Sequence, residues 1–540
     1  MKIEFVGGAR TVTGSSFIVK NNNFTVMIDC GMFQGTRELR ERNYLNLIYA
    51  PSQIDSLLLT HAHIDHSGLI PKLVKEGFTQ PIYATKATCE LCSIMLPDSA
   101  HIQEQDAEII NKKRKKLGRE YIEPLYTSED AERCMQYFNP VRYHQTVSIH
   151  PDITVSFKDA GHILGSSFIE MNIKDNGKQN AIVFSGDIGQ KNQAIIRDPE
   201  LPDYADILLI ESTYGDRLHK SKEDTYNELK KVILESYNKH GNIIIPAFAI
   251  ERTQELLYTI AQLVKKGEIP PIPVYLDSPL ATSATHIFLN NQDCFDDAIN
   301  NLLRSGDSPL DFPNLHFVKT VEESKWLNKN AKGAIIISAS GMCTAGRVKH
   351  HLLNNLYKPE SAVVFVGYQA EGTLGRRIVD GAHMVKIYGE NVAVRAKIYT
   401  IGGFSAHADK EGLLDWMSTI KNPKLKVFVV HGEENASASL AEEIRNRFGY
   451  TVYVPHWGEI VDLETMKSEF AKYSPFDIAD NVESELEHVE KLVQTLKARY
   501  KKAKEEGRRI NWNQIENDIS DIRELVSMIK IGRASCRERV

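Results

Sequence analysis

The chain has 540 residues, 42% of them hydrophobic and 25% charged, with a formal net charge of −6. That length is too great for one core, so two or three packed units are expected. The acidic balance excludes attraction of nucleic acid by overall field, which leaves only local cations or metals to hold a polyanion. No apolar run approaches about 18 residues, and residues 1–8 start like a strand with no charged-then-apolar leader; a soluble cytoplasmic protein that binds no membrane is expected.

The first ligand-type residue after an apolar strand is Asp29, which follows Phe24-Thr25-Val26-Met27-Ile28. Next comes Ser56-Leu57-Leu58-Leu59-Thr60, and directly after it His61-Ala62-His63-Ile64-Asp65-His66, four ligand-type side chains in six residues before a helix-like stretch at 68–76. Imidazole and carboxylate suit a zinc ion that keeps a position open for water, whereas closed structural sites lean on thiolates, and this run contains no Cys. At an extended strand end, residues two apart point the same way, so His61 and His63 are expected to grip one ion while Asp65 and His66 face a neighbouring one. Two such ions roughly 3.5 to 4 Å apart can share a bridging hydroxide and clamp the attacking and leaving oxygens of a phosphodiester.

Cys89 and Cys92 form a single CxxC without a second pair and read as helix or core thiols. The six Cys outside the last ten residues lack framework spacing, which suits a reducing compartment. Lys112-Lys113-Arg114-Lys115-Lys116 reads as a solvated helix end, or else as a nucleic-acid contact. The strand-then-ligand pattern recurs at Asp159-Ala160-Gly161-His162, at Ala181-Ile182-Val183-Phe184-Ser185-Gly186-Asp187 and at Lys426-Val427-Phe428-Val429-Val430-His431-Gly432.

From residue 213 to about 395 the pattern changes to strand then helix, as at 242–246 followed by 251–266 and at 334–338 followed by 347–356, which implies a parallel sheet with covering helices. Ser338, Ser340, Gly341 and Met342, with Gly372 and Gly375 further on, place small or glycine residues near strand ends, where backbone N–H groups can meet phosphate. Arg252, Arg347 and Arg376 add cations nearby, either for that phosphate or paired with carboxylates. Beyond residue 475, Val482, Leu486, Val489, Val493, Leu496 and Tyr500 alternate spacings of four and three, as do Ile515, Ile519, Ile522, Val526 and Ile529. This reads as an amphipathic helical hairpin over 475–530 that packs back on the protein or forms a homodimer. Residues 531–540 read as a translated sequencing-adapter sequence and are set aside.

Three further segments carry a family resemblance. Glu211-Ser212-Thr213-Tyr214-Gly215 resembles motif A, Gly402-Gly403-Phe404-Ser405-Ala406-His407-Ala408-Asp409 motif B, and Val430-His431-Gly432-Glu433 motif C of the metallo-β-lactamase-fold nucleases of the β-CASP family, in its RNA-processing branch. The resemblance covers roughly residues 1–460. It implies an α/β fold: a metallo-β-lactamase αββα sandwich in two parts, 1–210 and 396–465, with a β-CASP α/β domain inserted over 211–395. By the same resemblance His61, His63 and His162 hold one ion and Asp65, His66 and His431 the other. Asp187 bridges the two, and Asp29 supports the loops from behind.

Two Zn2+ are implied, with Mn2+ equally suited to such ligands. Catalysis is assigned to Asp65, Asp187, Glu211 and His407. Asp187 accepts a hydrogen bond from the hydroxide, and His407, oriented by Glu211, donates the proton to the leaving oxygen. Relatives devoted to DNA tend to have an apolar residue where His431 stands, so single-stranded RNA is the expected partner. The Gly403-Phe404-Ser405-Ala406-His407 spelling leans towards the endonucleolytic, cleavage-factor-like branch over a 5′-exonuclease. Two other readings stay open: a hydrolase of a small thioester, lactone or phosphodiester, and an inactive RNA-binding subunit.

Overall fold

The computed structural model describes residues 1–45, 50–116, 118, 120–175, 177–470 and 493–494. The chain divides into two units, Met1–Phe470 and Ala471–Val540. Apart from residues 493–494, the expected hairpin with its homodimer and the segment 531–540 lie outside the described residues.

Two sheets build the larger part of the first unit. One has eight strands in the order Ser468–Phe470, Glu459–Asp462, Lys2–Phe5, Phe17–Lys20, Thr25–Ile28, Ser56–Leu58, Ile82–Thr85 and Phe138–Val141. The other has seven, in the order Thr451–Tyr453, Lys426–Val429, Ile207–Ile210, Lys178–Phe184, Ser167–Asp175, Ile153–Asp159 and Val147–His150. Their facing residues form one apolar layer, in which Ile3, Phe5, Val26 and Leu58 meet Phe157, Ile169, Phe184 and Phe428. Alternation sets this up: along Ile153–Asp159 every second residue is buried, the pattern of a strand with one face in the core.

Ile207–Ile210 is buried at every position, because its second face is also covered. The cover consists of helices Lys410–Met417 and Glu434–Phe448, whose Leu413, Leu414, Leu440 and Ile444 pack on Leu208, Ile210, Val427 and Val429. Trp416, fully buried among them, stacks edge-on against Phe168 at 5.3 Å and donates its indole N–H to the Glu200 carbonyl at 2.7 Å. Helix Glu434–Phe448 ends on Gly449 at φ +68, a left-handed position that glycine occupies without crowding a Cβ. Helices therefore cover the outer faces, in the expected four-layer α/β sandwich.

After Ile207–Ile210 the chain leaves the sandwich and builds a six-stranded parallel sheet in the order Leu315–Phe317, Val274–Leu276, Ile335–Ser338, Ile243–Pro246, Ala362–Phe365 and Lys397–Thr400. The triplets Ile243–Ile245 and Ile335–Ile337 are fully buried, as central parallel strands covered on both faces must be. One boundary differs from the sequence reading, which places the return to the sandwich at residue 396. Lys397–Thr400 pairs in parallel with Ala362–Phe365 as the edge strand of the inserted sheet, so the chain re-enters the sandwich only after it. A half-exposed edge strand carries no pattern that assigns it to one sheet over another.

Candidate active site

The strand that leads into the histidine cluster stops at Leu58, short of His61, so strand alternation does not orient the ligands. A buried carboxylate does so instead. Asp29 follows strand Thr25–Ile28 in the left-handed region, at φ +56. Its carboxylate accepts from the Thr60 amide at 2.8 Å and the Thr60 hydroxyl at 3.0 Å, and meets His66 Nδ1 at 2.7 Å. Thr60 Oγ1 in turn lies 3.1 Å from His61 Nδ1. With both Nδ1 atoms engaged from behind, Nε2 is the free nitrogen on His61 and His66, the arrangement expected of metal-ligating imidazoles. His63 stands at the N-terminus of helix Ile64–Ser67, and Asp65 and His66 lie within that helix.

A tetrahedral zinc ion with bonds of about 2.0–2.1 Å keeps its ligand atoms about 3.3–3.4 Å apart. His63 Nδ1 lies 3.1 Å from His61 Nε2 and 3.3 Å from His162 Nε2. Asp187 Oδ2 lies 3.5 Å from His61 Nε2 and 3.6 Å from His162 Nε2. Those separations are the edges of one tetrahedral site. Across the same carboxylate, Asp187 Oδ1 lies 3.4 Å from both His66 Nε2 and His431 Nε2, and Asp65 Oδ2 lies 3.9 Å from His431 Nε2. His66 Nε2 and Asp187 Oδ1 are buried without a hydrogen-bond partner, so the second site consists of polar atoms that only an ion or water between them satisfies. The seven residues read as ligands in the sequence thus form two adjoining groups that share Asp187.

Charge agrees with this geometry. Burial lowers the pKa of His61 and His162 well below the ordinary value, that of His63 to about 3 and that of His431 to about 4, so these rings are neutral and keep a lone pair for a metal. Burial opposes ionisation of Asp187, yet His431, His66 and His407 hold its pKa well below the carboxylate range. Tight turns deliver these groups. A Cβ at Gly186, itself at φ +53, would stand 2.8 Å from Thr60 Cβ, so only glycine lets the Asp187 loop come this close to the histidine loop.

Beside Asp187 stands a second device. Glu211, at the end of strand Ile207–Ile210, is fully buried and accepts from the Ile188 amide at 2.6 Å. Its carboxylate oxygens lie 3.1 and 3.3 Å from His407 Nδ1, which is also 3.8 Å from Asp187 Oδ2. Burial disfavours the imidazolium of His407, but Glu211 and Asp187 outweigh it and raise the pKa of that ring. The shift of His407 is upward, opposite to that of His61, His63, His162 and His431; His66, between Asp29 and Asp187, is pushed up in the same way. The position of His407 is fixed by a bridge to Gly189 and by His219, whose Nε2 lies 3.1 Å from the His407 carbonyl.

Site and insert enclose a cleft of about 920 Å³ lined by His63, Asp65, Asp187 and His407 on one side and by Phe248, Ser340, Met342 and Arg347 on the other. Of the residues nominated for phosphate, Arg252 also lines it, whereas Ser338, Gly341, Gly372, Gly375 and Arg376 do not. The Ser338 hydroxyl is buried and donates to the Asp277 carbonyl at 2.8 Å. All three arginines have carboxylate partners: Arg252 with Glu255 at 2.6 Å, Arg347 with Asp277 at 2.6 Å, and Arg376 with Asp380 at 2.9 Å. Sequence reasoning missed Thr60, His219 and Phe248. The Phe248 ring faces His63 with centroids 6.2 Å apart, and Gly341 makes room for it, since a Cβ there would stand 2.8 Å from the ring. An aromatic between two alanines at the end of an apolar strand was the available signal.

Comparison with known proteins agrees with this arrangement. The metallo-beta-lactamase superfamily model matches residues 9–121, the Beta-Casp domain 253–378, and the Zn-dependent metallo-hydrolase RNA specificity domain 391–455. Ribonuclease TTHA0252 of Thermus thermophilus is 35% identical over 463 residues, which is 86% of this chain and 100% of the relative. The RNase J-like protein of Methanocaldococcus jannaschii is 30% identical over 467 residues, covering 85% and 99% of the two chains. The transcription termination factor FttA of the same organism is 30% identical over 465 residues, covering 84% and 70%. The cluster of histidines and aspartates in this setting is that of a metal-dependent hydrolase of nuclease type. The chain belongs to the metallo-β-lactamase-fold β-CASP ribonuclease family.

Proposed function

We propose that the protein is a zinc-dependent ribonuclease that hydrolyses phosphodiester bonds within single-stranded RNA, with two Zn2+ in the paired sites and His407 as general acid. The observation that carries the reading is geometric: beside the two ligand groups that meet at Asp187, His407 stands 3.1 Å from the buried Glu211 carboxylate and 3.8 Å from Asp187. Two divalent ions, held there by His61, His63, His162, Asp65, His66, His431 and the shared Asp187, would supply an activated water and positive charge for the phosphoryl oxygens. The protein's own groups do the rest. Asp187 joins both ligand sets and fixes their spacing. Glu211 occupies His407 Nδ1, which leaves Nε2 as the nitrogen that hands a proton to the departing ribose oxygen.

A flexible strand reaches the buried centre through the cleft more readily than a paired duplex, and Phe248, Ser340, Met342 and Arg347 line its path. The spelling of residues 403–407 favours internal cleavage. The free, buried thiols of Cys30, Cys92, Cys134, Cys294 and Cys343 suit the reducing cytoplasm.

The test is incubation of the zinc-loaded full chain with 5′-labelled and internally labelled single-stranded RNA, a duplex, and DNA of equal sequence, beside His63→Ala. Internal cleavage of single-stranded RNA by the wild type alone is expected. Equal activity of the variant, or hydrolysis of a thioester with no RNA cleavage, would sink the reading; mononucleotide release from the 5′ end alone would overturn the endonuclease assignment.

A further inference from the structure

Away from the metals, one wall of the cleft comes from three elements of the insert: helix Val321–Asn330, helix Val348–Asn355 and the hairpin of strands Met384–Ile387 and Glu390–Ala393. Ile387 pairs with Glu390, which leaves a two-residue turn of Tyr388 and Gly389 with φ +51 and +91. Positive φ at both positions is the sign pattern of a type I′ turn, whose first place is filled without crowding by Asn, Asp or Gly. Tyrosine there is an outlier. Its ring is 49% exposed, lines the cleft, and lies stacked on His350 with centroids 4.6 Å apart and planes at 27°. Lys349 Nζ stands 4.5 Å from the Tyr388 centroid.

Lys325 and Lys329 project from one face of helix Val321–Asn330 into the same cleft, both exposed and with no ion-pair partner recorded among the described residues. Burial, His351 and Lys349 lower the pKa of His350, so its ring stacks as a neutral aromatic. A chain with a net charge of −6 thus presents a local cationic strip beside an exposed aromatic pair, the combination that single-stranded nucleic acids use: phosphates on lysines, bases on rings.

We propose that Tyr388, backed by His350, is a base-stacking subsite at the outer end of the cleft, reached by a single strand whose phosphates pass Lys325 and Lys329. The proposal rests on the ribonuclease reading above and deepens it: stacking is tolerant of sequence, so this subsite grips RNA by length and single-strandedness, not by base identity. Strain at Tyr388 is then the consequence of placing a ring where a turn alone would prefer asparagine.

Tyr388→Asn separates the two roles, because asparagine suits the turn and cannot stack. With the zinc-loaded full chain, kcat/KM is measured on a long single-stranded RNA and on a tetranucleotide, for wild type, Tyr388→Asn and Tyr388→Phe, alongside thermal melting and anisotropy of a labelled oligouridylate. Tyr388→Asn is expected to lower the long-to-short ratio roughly 5- to 100-fold, through KM. It is also expected to weaken oligouridylate binding by a similar factor and to melt no lower than wild type, while Tyr388→Phe keeps the ratio. An unchanged ratio in Tyr388→Asn overturns the proposal, as does a loss shared by Tyr388→Phe. If the wild type cleaves no RNA but its oligouridylate binding depends on Tyr388, the ribonuclease reading falls and the subsite stands. If that binding is independent of Tyr388, the subsite falls too.

Discussion

The two walls of the cleft are built by opposite rules. On the sandwich side His61, His66, His162, Asp187 and His431 are nearly inaccessible, and each is held by a neighbour or a tight turn before any ligand arrives. On the insert side Lys325, Lys329, His350 and Tyr388 are exposed. Buried, pre-oriented groups suit chemistry, where a small displacement of a ligand matters. Exposed cations and rings suit a polymer that must enter, slide and leave. Between the walls stands Glu251, the residue just before the insert helix Arg252–Lys265, whose Oε2 accepts from the Leu164 amide of the loop that carries His162 at 3.2 Å.

The comparison breaks most visibly at the shared ligand. Asp187→Ala, or a chelator on the wild type, is expected to reduce RNA cleavage to background and to release both metals, read by zinc content; one retained zinc equivalent would mean that the sites do not depend on a common carboxylate. His407→Ala leaves the ligand set whole, so zinc content should hold while kcat falls about 10²- to 10⁴-fold. A diester with a nitrophenolate leaving group, which departs without a proton, should show a much smaller loss. Equal losses on both substrates would remove His407 from the acid's role.

Asp29→Ala touches neither metal nor substrate, yet it frees the rings of His61 and His66. Zinc affinity should drop about 10- to 100-fold in a competitive chelator titration. The smallest effect is at the seam. Burial and the nearby Glu255 raise the Glu251 pKa from 4.5 to about 8. Between those values the folded protein holds a proton that the unfolded chain has lost, so this group lowers stability progressively as pH rises through that window. Glu251→Gln removes the effect, and its melting midpoint should gain on wild type from about pH 5 to about pH 8. A difference that does not vary with pH would show the carboxyl to be ionised in the fold.

The site was legible in the sequence where its logic is local. His61, His63, Asp65 and His66 lie within six residues, and Asp187 and His431 repeat one strand-then-ligand pattern, so each could be placed before the fold was known. What could not be read depends on partners far along the chain. Thr60 matters because Asp29 faces it across 31 residues, and Ser338 stays out of the cleft lining while its hydroxyl turns to Asp277, 61 residues earlier. Arg347 presents the same chemistry in sequence whether it meets phosphate or, as here, Asp277. Lys397–Thr400 went to the wrong sheet for a related reason, since an edge strand looks alike in either one.

The order of the ligands along the chain has a consequence for how the protein comes to be made. Synthesis runs from the N-terminus, and early-made regions can fold before the rest has emerged. The first histidines of the site appear at residue 61, but the proposed proton donor follows only at 407 and the last proposed ligand at 431, the latter just beyond a strand that pairs with Ile207–Ile210 across the whole insert. A growing chain therefore carries an incomplete centre until residue 431 has been added, beside the very message that encodes it. The insert lies between the first and the last of these residues in the chain, so the paired groups come together only after it has been made.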